Sequence, residues 1–238
     1  MFFLFNLLNP ILIAAAILPA IALLVFVYRM DRLEKEPRPI LRKLLLRGAL
    51  STLVAMALEY AGSYLMASAS RGGGKLFDII YFFIVVGLSE EAAKYFFLKK
   101  STWFAESFDC QFDGVVYAVF VSLGFALAEN ICYCLEYGLG TALIRAVTAI
   151  PGHACFGVFM GAWYGIAKRY DNFGYPEKSR NARLMSLLLP TLLHGTYDYC
   201  ATRESAVYSV IFIVFIAVMF ITAFRLVRKL SAADQYIY

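Results

Sequence analysis

The stretch Gly87-Leu88-Ser89-Glu90-Glu91-Ala92-Ala93-Lys94 sets two adjacent carboxylates and an ammonium inside a run of Phe, Ile, Val and Leu. No fold requires this. An ionised side chain near the middle of a membrane helix costs roughly 2.5–3.5 kcal/mol on insertion scales, so it needs a partner or a wet cavity. On a helix Lys94 comes four residues after Glu90 and three after Glu91, within reach of either. One carboxylate is then neutralised locally, and the other stays available for chemistry.

Three further apolar runs carry polar groups of the same kind: Gly124-Phe125-Ala126-Leu127-Ala128-Glu129-Asn130, then Ile150-Pro151-Gly152-His153-Ala154, then Leu193-His194-Gly195-Thr196-Tyr197-Asp198. Both histidines of the chain fall in them. If successive helices alternate direction, Glu90, Glu129, His153 and His194 come within about 10 Å of the midplane at 1.5 Å per residue, close enough to share one site. Asp198 follows His194 by one helical turn and can orient the imidazole or join it in binding a ligand. Pro151 and Gly152 loosen the helix ahead of His153 and call for a wet or protein-lined pocket. Glu59 and Arg145 read as glue between helices.

Hydrolysing a peptide bond takes an activated water, a group that stabilises the oxyanion and an acid for the leaving amine, and glutamates with histidines supply all three. Two histidines and a carboxylate (His153, His194 and Glu129) also match a catalytic zinc shell with an open water position. No His-Glu-x-x-His helix is present, so spacing alone is a weak metal signal. The alternative is a metal-free site in which a buried glutamate deprotonates water with help from a histidine. The same groups would serve a proton- or ion-coupled transporter, although no internal repeat of the transporter kind is visible.

The elements that must position these residues are membrane helices. With 238 residues, 61% hydrophobic and 16% charged, the chain is too apolar for a soluble globule, and its composition predicts an all-α, polytopic bundle embedded in the lipid bilayer. Seven apolar runs can be drawn, at about 2–28, 45–68, 76–98, 114–136, 143–167, 184–201 and 206–227. They form one domain over 1–238 with a motif-bearing core at 76–201. Between the first two runs, the charged segment Arg29–Pro39 ends any helix and belongs in water. Lys and Arg crowd the segments after the first, third, fifth and last runs, which predicts a multi-pass protein with its N-terminus outside and its C-terminus in the cytoplasm. The net charge of +5 follows from that bias and carries no nucleic-acid signal. Gly72-Gly73-Gly74 reads as a flexible turn, the tail Ser231–Tyr238 is uninformative, and the five cysteines lack a Cys-x-x-Cys pair and read as inert thiols.

Glu90-Glu91-Ala92-Ala93-Lys94, Asp113-Gly114 leading to Gly124–Asn130, Pro151-Gly152-His153-Ala154 and His194-Gly195-Thr196-Tyr197-Asp198 resemble the four motifs of the PrsW family of intramembrane proteases. They come in the family's order and cover residues 89–198. The family is related to the CAAX prenyl endopeptidases and bacteriocin-processing proteins, which carry a similar Glu-Glu-x-x-Arg motif; Lys94 stands in this chain as the PrsW variant. The resemblance implies a protease of the bacterial cell membrane that makes the first cut in a membrane-anchored anti-sigma factor. A second intramembrane protease then releases the sigma factor. It also implies catalytic roles for Glu90, Glu91, Glu129, His153 and His194, with Lys94, Asn130 and Asp198 in support. Glu90 is the expected base, Glu129 and His153 hold the water or a metal, His194 binds metal or stabilises the oxyanion, and Asn130 donates to it. Asp198 stands where the wider group often has Asn, which favours orienting His194. The family is described as metalloproteases, whereas the CAAX relatives are argued to work without metal; both a zinc ion and none stay open here.

Overall fold

Apolar runs in a lipid solvent must satisfy their backbone groups internally, which leaves helices as the simplest solution for this pattern. The computed structural model describes residues 10–69 and 74–238, and over these the chain is helical, with one isolated antiparallel bridge between Cys110 and Tyr236. The helices are α1 (Pro10–Met30), α2 (Arg38–Ala69), α3 (Lys75–Ile80), α4 (Ser89–Thr102), α5 (Asp113–Tyr137), α6 (Leu139–Val147), α7 (Ala149–Asn172), α8 (Pro176–Ala201) and α9 (Ala206–Ala232). A π-helical segment, Tyr81–Leu88, joins α3 to α4 without a break. The start of the first expected run and most of the Gly72-Gly73-Gly74 turn lie outside the described residues.

Among the described residues, five stretches are long and apolar enough to cross a bilayer: Ile13–Met30, Arg38–Ser68, Asp113–Tyr137, Leu139–Asn172 and Ala206–Ala232. The two remaining long stretches, from α3 through α4 and along α8, are more polar because they carry the Glu90, Glu91, Lys94, His194 and Asp198 side chains. Counting them gives the seven runs read from the sequence. The expected fifth run differs in one respect: it is two helices, broken at Thr148. Pro151 falls in the first turn of α7, where its missing N–H leaves no helical bond unmade, so it marks a helix start and does not loosen the helix interior.

The core is centred on α5, whose buried residues run from Val115 to Phe125, packed against α7, α2 and α1. Close helix crossings make this possible. At Gly48 of α2 and Gly124 of α5, a Cβ would overlap the backbone carbonyls of Val121 and Leu45, so only glycine lets the two helices meet there. Gly157 and Gly161 of α7 meet α5 in the same way, and Gly165 meets the Gln111 carbonyl just ahead of α5. Beyond the α2–α5 crossing, both helices present side chains to one cavity, described below.

The polar ends are tied together. In the connector between α1 and α2, Asp31 Oδ2 accepts from the Glu36 backbone N–H at 3.1 Å, and the Tyr117 hydroxyl donates to Glu36. The C-terminal tail docks beside them: Asp234 Oδ1 accepts from the Phe112 N–H at 2.9 Å, Asn172 Nδ2 donates to the Ile237 carbonyl at 2.7 Å, and Ile237 is fully buried. Nothing in the tail's sequence announces this anchoring.

Candidate active site

The first turn of α4 follows the π-helical segment directly, and helical spacing places Glu90, Glu91 and Lys94 on one face. Wide π turns are uncommon and are found frequently at functional sites. This one is held against α8 at two glycines. A Cβ on Gly195 would lie 2.6 Å from the Phe83 ring and 2.9 Å from the Phe83 Cα, and one on Gly87 would lie 3.2 Å from the Thr191 carbonyl oxygen. That tight seat brings His194, one residue before Gly195, onto the Glu91 carboxylate.

The Lys94 ammonium is the hub. It is fully buried, and its three hydrogens go to Glu90 Oε2 at 3.1 Å, Glu91 Oε1 at 2.8 Å and His153 Nδ1 at 3.1 Å. The Phe125 ring, its centroid 3.9 Å from Nζ, closes another side of the cage. An ammonium can only donate, so His153 Nδ1 accepts, and the proton of the neutral ring sits on Nε2. From there it is donated to Glu129 Oε2 at 2.9 Å. Arg145 Nη2 donates to the same oxygen at 2.7 Å.

His194 lies among carboxylates on both sides. Its Nδ1 is 2.8 Å from Glu91 Oε1, while Nε2 faces Glu90 Oε2 at 3.7 Å and Asp198 Oδ2 at 3.4 Å. Phe156 stacks on this ring with centroids 4.7 Å apart, and the two imidazoles stand perpendicular at 5.2 Å. Separations of 3.4 and 3.7 Å are too long for good direct hydrogen bonds and suit a bridging water or substrate atom.

A cavity of about 510 Å³ opens onto this arrangement. Glu90, Glu129, His153, His194 and Asp198 line it, whereas Glu91, Lys94 and Asn130 stand behind the wall. The cavity reaches Tyr137 and Thr202 at helix ends, and Leu53 and Met56 on the outward flank of α2. Glu59, read from the sequence as glue, is on this wall too. The structure thus brings Glu90, Glu91, Lys94, Glu129, His153, His194 and Asp198 into one connected network. Asn130 is turned elsewhere, its Nδ2 donating to the Ala16 carbonyl at 3.1 Å and its Oδ1 accepting from Arg145 Nε at 2.9 Å. Arg145, read from the sequence as glue between helices, bridges α6 to Glu129 and Asn130 of α5; the identity of these partners is what the sequence did not name.

The donor chemistry tests whether a metal ion belongs here. Glu90, Glu91, His153 and His194 offer ligand atoms within 4.8 Å of one another, a set that differs from the sequence-based trio by excluding Glu129. Ligand types alone suit zinc. However, Lys94 already bonds three of the four, and His153 has no lone pair to give while Nδ1 accepts from Lys94 and Nε2 donates to Glu129. A cation added at the centre would face an ammonium about 3 Å from its ligands. In this arrangement the residues do not fit a metal ion. Two acceptors of the site are left over, Glu91 Oε2 and Asp198 Oδ2, each buried without a hydrogen-bond partner.

Comparison with known proteins supplies the remaining information. Residues 36–224 match the family model described as "PrsW family intramembrane metalloprotease". The protein named Protease PrsW from Oceanobacillus iheyensis is 36% identical over 218 residues, covering 91% of this chain and 95% of that relative. The Bacillus subtilis Protease PrsW is 34% identical over 194 residues (82% and 84%), and that of Geobacillus kaustophilus 36% over 191 (79% and 78%). No solved structure matches the chain.

Proposed function

The chain belongs to the PrsW family of intramembrane proteases, and on that premise we propose that it cuts a single-pass membrane protein with a water activated by Glu90, without a metal ion. The observation that carries this reading is the asymmetry of the two glutamates. Glu91 is buried behind the wall with Lys94 and His194 both on Oε1, while Glu90 gives one oxygen to Lys94 and faces the cavity. Glu91 is the anchor and Glu90 the base.

In the reaction, Glu90 takes a proton from water as the oxygen adds to the scissile carbonyl carbon. His194, acting as the imidazolium with its Nδ1–H donated to Glu91, presents its Nε2–H to the carbonyl oxygen as it gains charge, with Asp198 Oδ2 3.4 Å from the same nitrogen. The protonated Glu90 then gives its proton to the amide nitrogen, the C–N bond breaks, and the products are a carboxylic acid and an amine, one water having been consumed. Lys94 supplies a fixed positive charge beside Glu90, 3.1 Å from its Oε2. His153, with no free lone pair, braces Lys94 on the Glu129 side.

The substrate class that the motifs imply is a membrane-anchored anti-sigma factor, receiving its first cut. A cavity that meets both the lipid-facing flank of α2 and the ends of α5 and α8 suits a transmembrane helix unwinding near one membrane face. The Lys/Arg bias makes that face the outer one.

The test uses the full-length protein in nanodiscs with a panel of single-pass membrane proteins, cleavage being read by mass spectrometry. Glu90→Gln is expected to lower cleavage by about 10³-fold, within the range for loss of a general base, while the fold is kept; full activity in this variant discards the mechanism. Activity is expected to persist in a zinc chelator. One equivalent of zinc with chelator-sensitive cleavage would overturn the metal-free reading and leave the protease intact.

A further inference from the structure

The sixth helix, α6, is only nine residues long, and its Leu143, Ile144 and Val147 point outward. Arg145 does not: its guanidinium turns to α5 and, among the described residues lining the cavity, is the only Lys or Arg. It is held at three points. Nη2 donates to Glu129 Oε2, Nε donates to Asn130 Oδ1, and the group lies over the Tyr133 ring at 4.0 Å from the centroid. Asn130 is fixed in turn by the Ala16 carbonyl of α1. Two adjacent acceptors and an aromatic face match a planar guanidinium and not the point charge of a lysine.

We propose that Arg145 is a positioning residue of the cleavage site, acting through Glu129 on His153 and, through His153, on the Lys94 ammonium. The inference rests on the protease reading above and adds to it a residue outside the four motifs. The physical reason lies in Glu129 Oε2, which accepts from Arg145 and from His153 Nε2 together. With Arg145 in place, the carboxylate cannot rotate into the cavity, and it selects the His153 tautomer whose Nδ1 accepts from Lys94. Without Arg145, Glu129 is a partly exposed carboxylate free to turn toward water. His153 then loses its acceptor, and the Lys94 tripod that steadies Glu90 loses its third leg.

Positioning and plain bracing of α6 against α5 make different predictions. Arg145→Ala is expected to stay folded by thermal unfolding, to lose kcat by about 10- to 100-fold, as other residues acting from behind the reacting groups do, and to keep KM within about threefold of wild type. Added guanidinium ion restores part of the lost kcat. Arg145→Lys recovers the fold fully and kcat only in part. Wild-type kcat in Arg145→Ala, or a loss confined to KM, overturns the proposal. So does a melting temperature lowered in step with activity and unmoved by guanidinium. Should Arg145→Ala fail to fold, Tyr133→Leu frees the guanidinium without removing it: lowered kcat supports the proposal and unchanged kcat overturns it. Glu90→Gln run alongside separates the two readings, because an active Glu90→Gln sinks both, while an inactive one beside a fully active Arg145→Ala sinks only this one.

Discussion

At the scale of single residues, the site is organised by an ammonium whose every hydrogen is spoken for. Lys94 compensates two buried glutamates and settles the tautomer of His153, so its replacement has two separable consequences. In Lys94→Met, Glu91 behind the wall and Glu90 at its face keep only His194 as a charged neighbour, and breaking a buried ion pair from one side costs about 3–5 kcal/mol. The expected outcome is a markedly lower unfolding temperature together with loss of cleavage. Lys94→Arg keeps the charge but not the shape, since a planar fork cannot reach Glu90, Glu91 and His153 from one point against the Phe125 ring. It is expected to unfold closer to wild type and still cleave poorly. Thermal unfolding in detergent paired with a cleavage assay checks both; an unchanged melting temperature in Lys94→Met would remove the hub from the account.

At the scale of elements, the π-helical segment and α8 decide whether the residues meet. The extra width of the turns before Ser89 sets the angle at which Glu90 and Glu91 leave α4, and Gly195 lets α8 come close enough for His194 to reach Glu91. A methyl group at Gly195 meets the Phe83 ring at 2.6 Å and its backbone at 2.9 Å, and backbone does not yield cheaply. Gly195→Ala therefore pushes α8 outward and lengthens the 2.8 Å contact between His194 and Glu91. The expected result is a kcat loss of about 10²-fold, the cost of misplacing a reacting group by about 1 Å, with a smaller effect on KM. Phe83→Ala in the same background removes the ring contact and leaves the backbone contact at 2.9 Å, so it is expected to restore only part of the activity. Wild-type kcat in Gly195→Ala would show that the seat of the π segment is not what places His194.

At the scale of the whole molecule, apolar spans and the two more polar stretches both carry site residues, Glu129 on α5 and His153 on α7 among the former, and the cavity lies where they meet. Cys132 provides a direct reading of that arrangement. It is exposed on the cavity wall, whereas Cys110, Cys134, Cys155 and Cys200 are buried and unpaired. If the N-terminus lies outside, as the Lys/Arg bias predicts, a membrane-impermeant maleimide added to intact cells labels Cys132 and leaves a Cys132→Ser protein unmodified. Labelling that appears only when the reagent is admitted to the cytoplasmic side would invert the orientation drawn from the Lys/Arg bias. Protection of Cys132 by a bound transmembrane peptide would mark this cavity as the substrate channel.

Composition and periodicity by themselves determined the membrane bundle, because long continuous apolar runs, unlike the alternating strands of a barrel, satisfy their backbone in lipid as helices. The same letters carried the candidate site, since Glu90, Glu91, Glu129, His153 and His194 at membrane depth are costly to keep and recur on separate runs. Contacts between residues far apart in the chain were beyond that reading. Only the tertiary structure decided that Glu91 is buried while Glu90 faces the cavity, that Asn130 is spent on Ala16 and Arg145, and that Arg145 grips Glu129. It also decided that the Ser231–Tyr238 tail packs beside Asp109 to Phe112. Spacing along one helix ranks neighbours within a turn or two, but which face meets which helix depends on glycines such as Gly48, Gly124 and Gly195, whose partners lie tens of residues away.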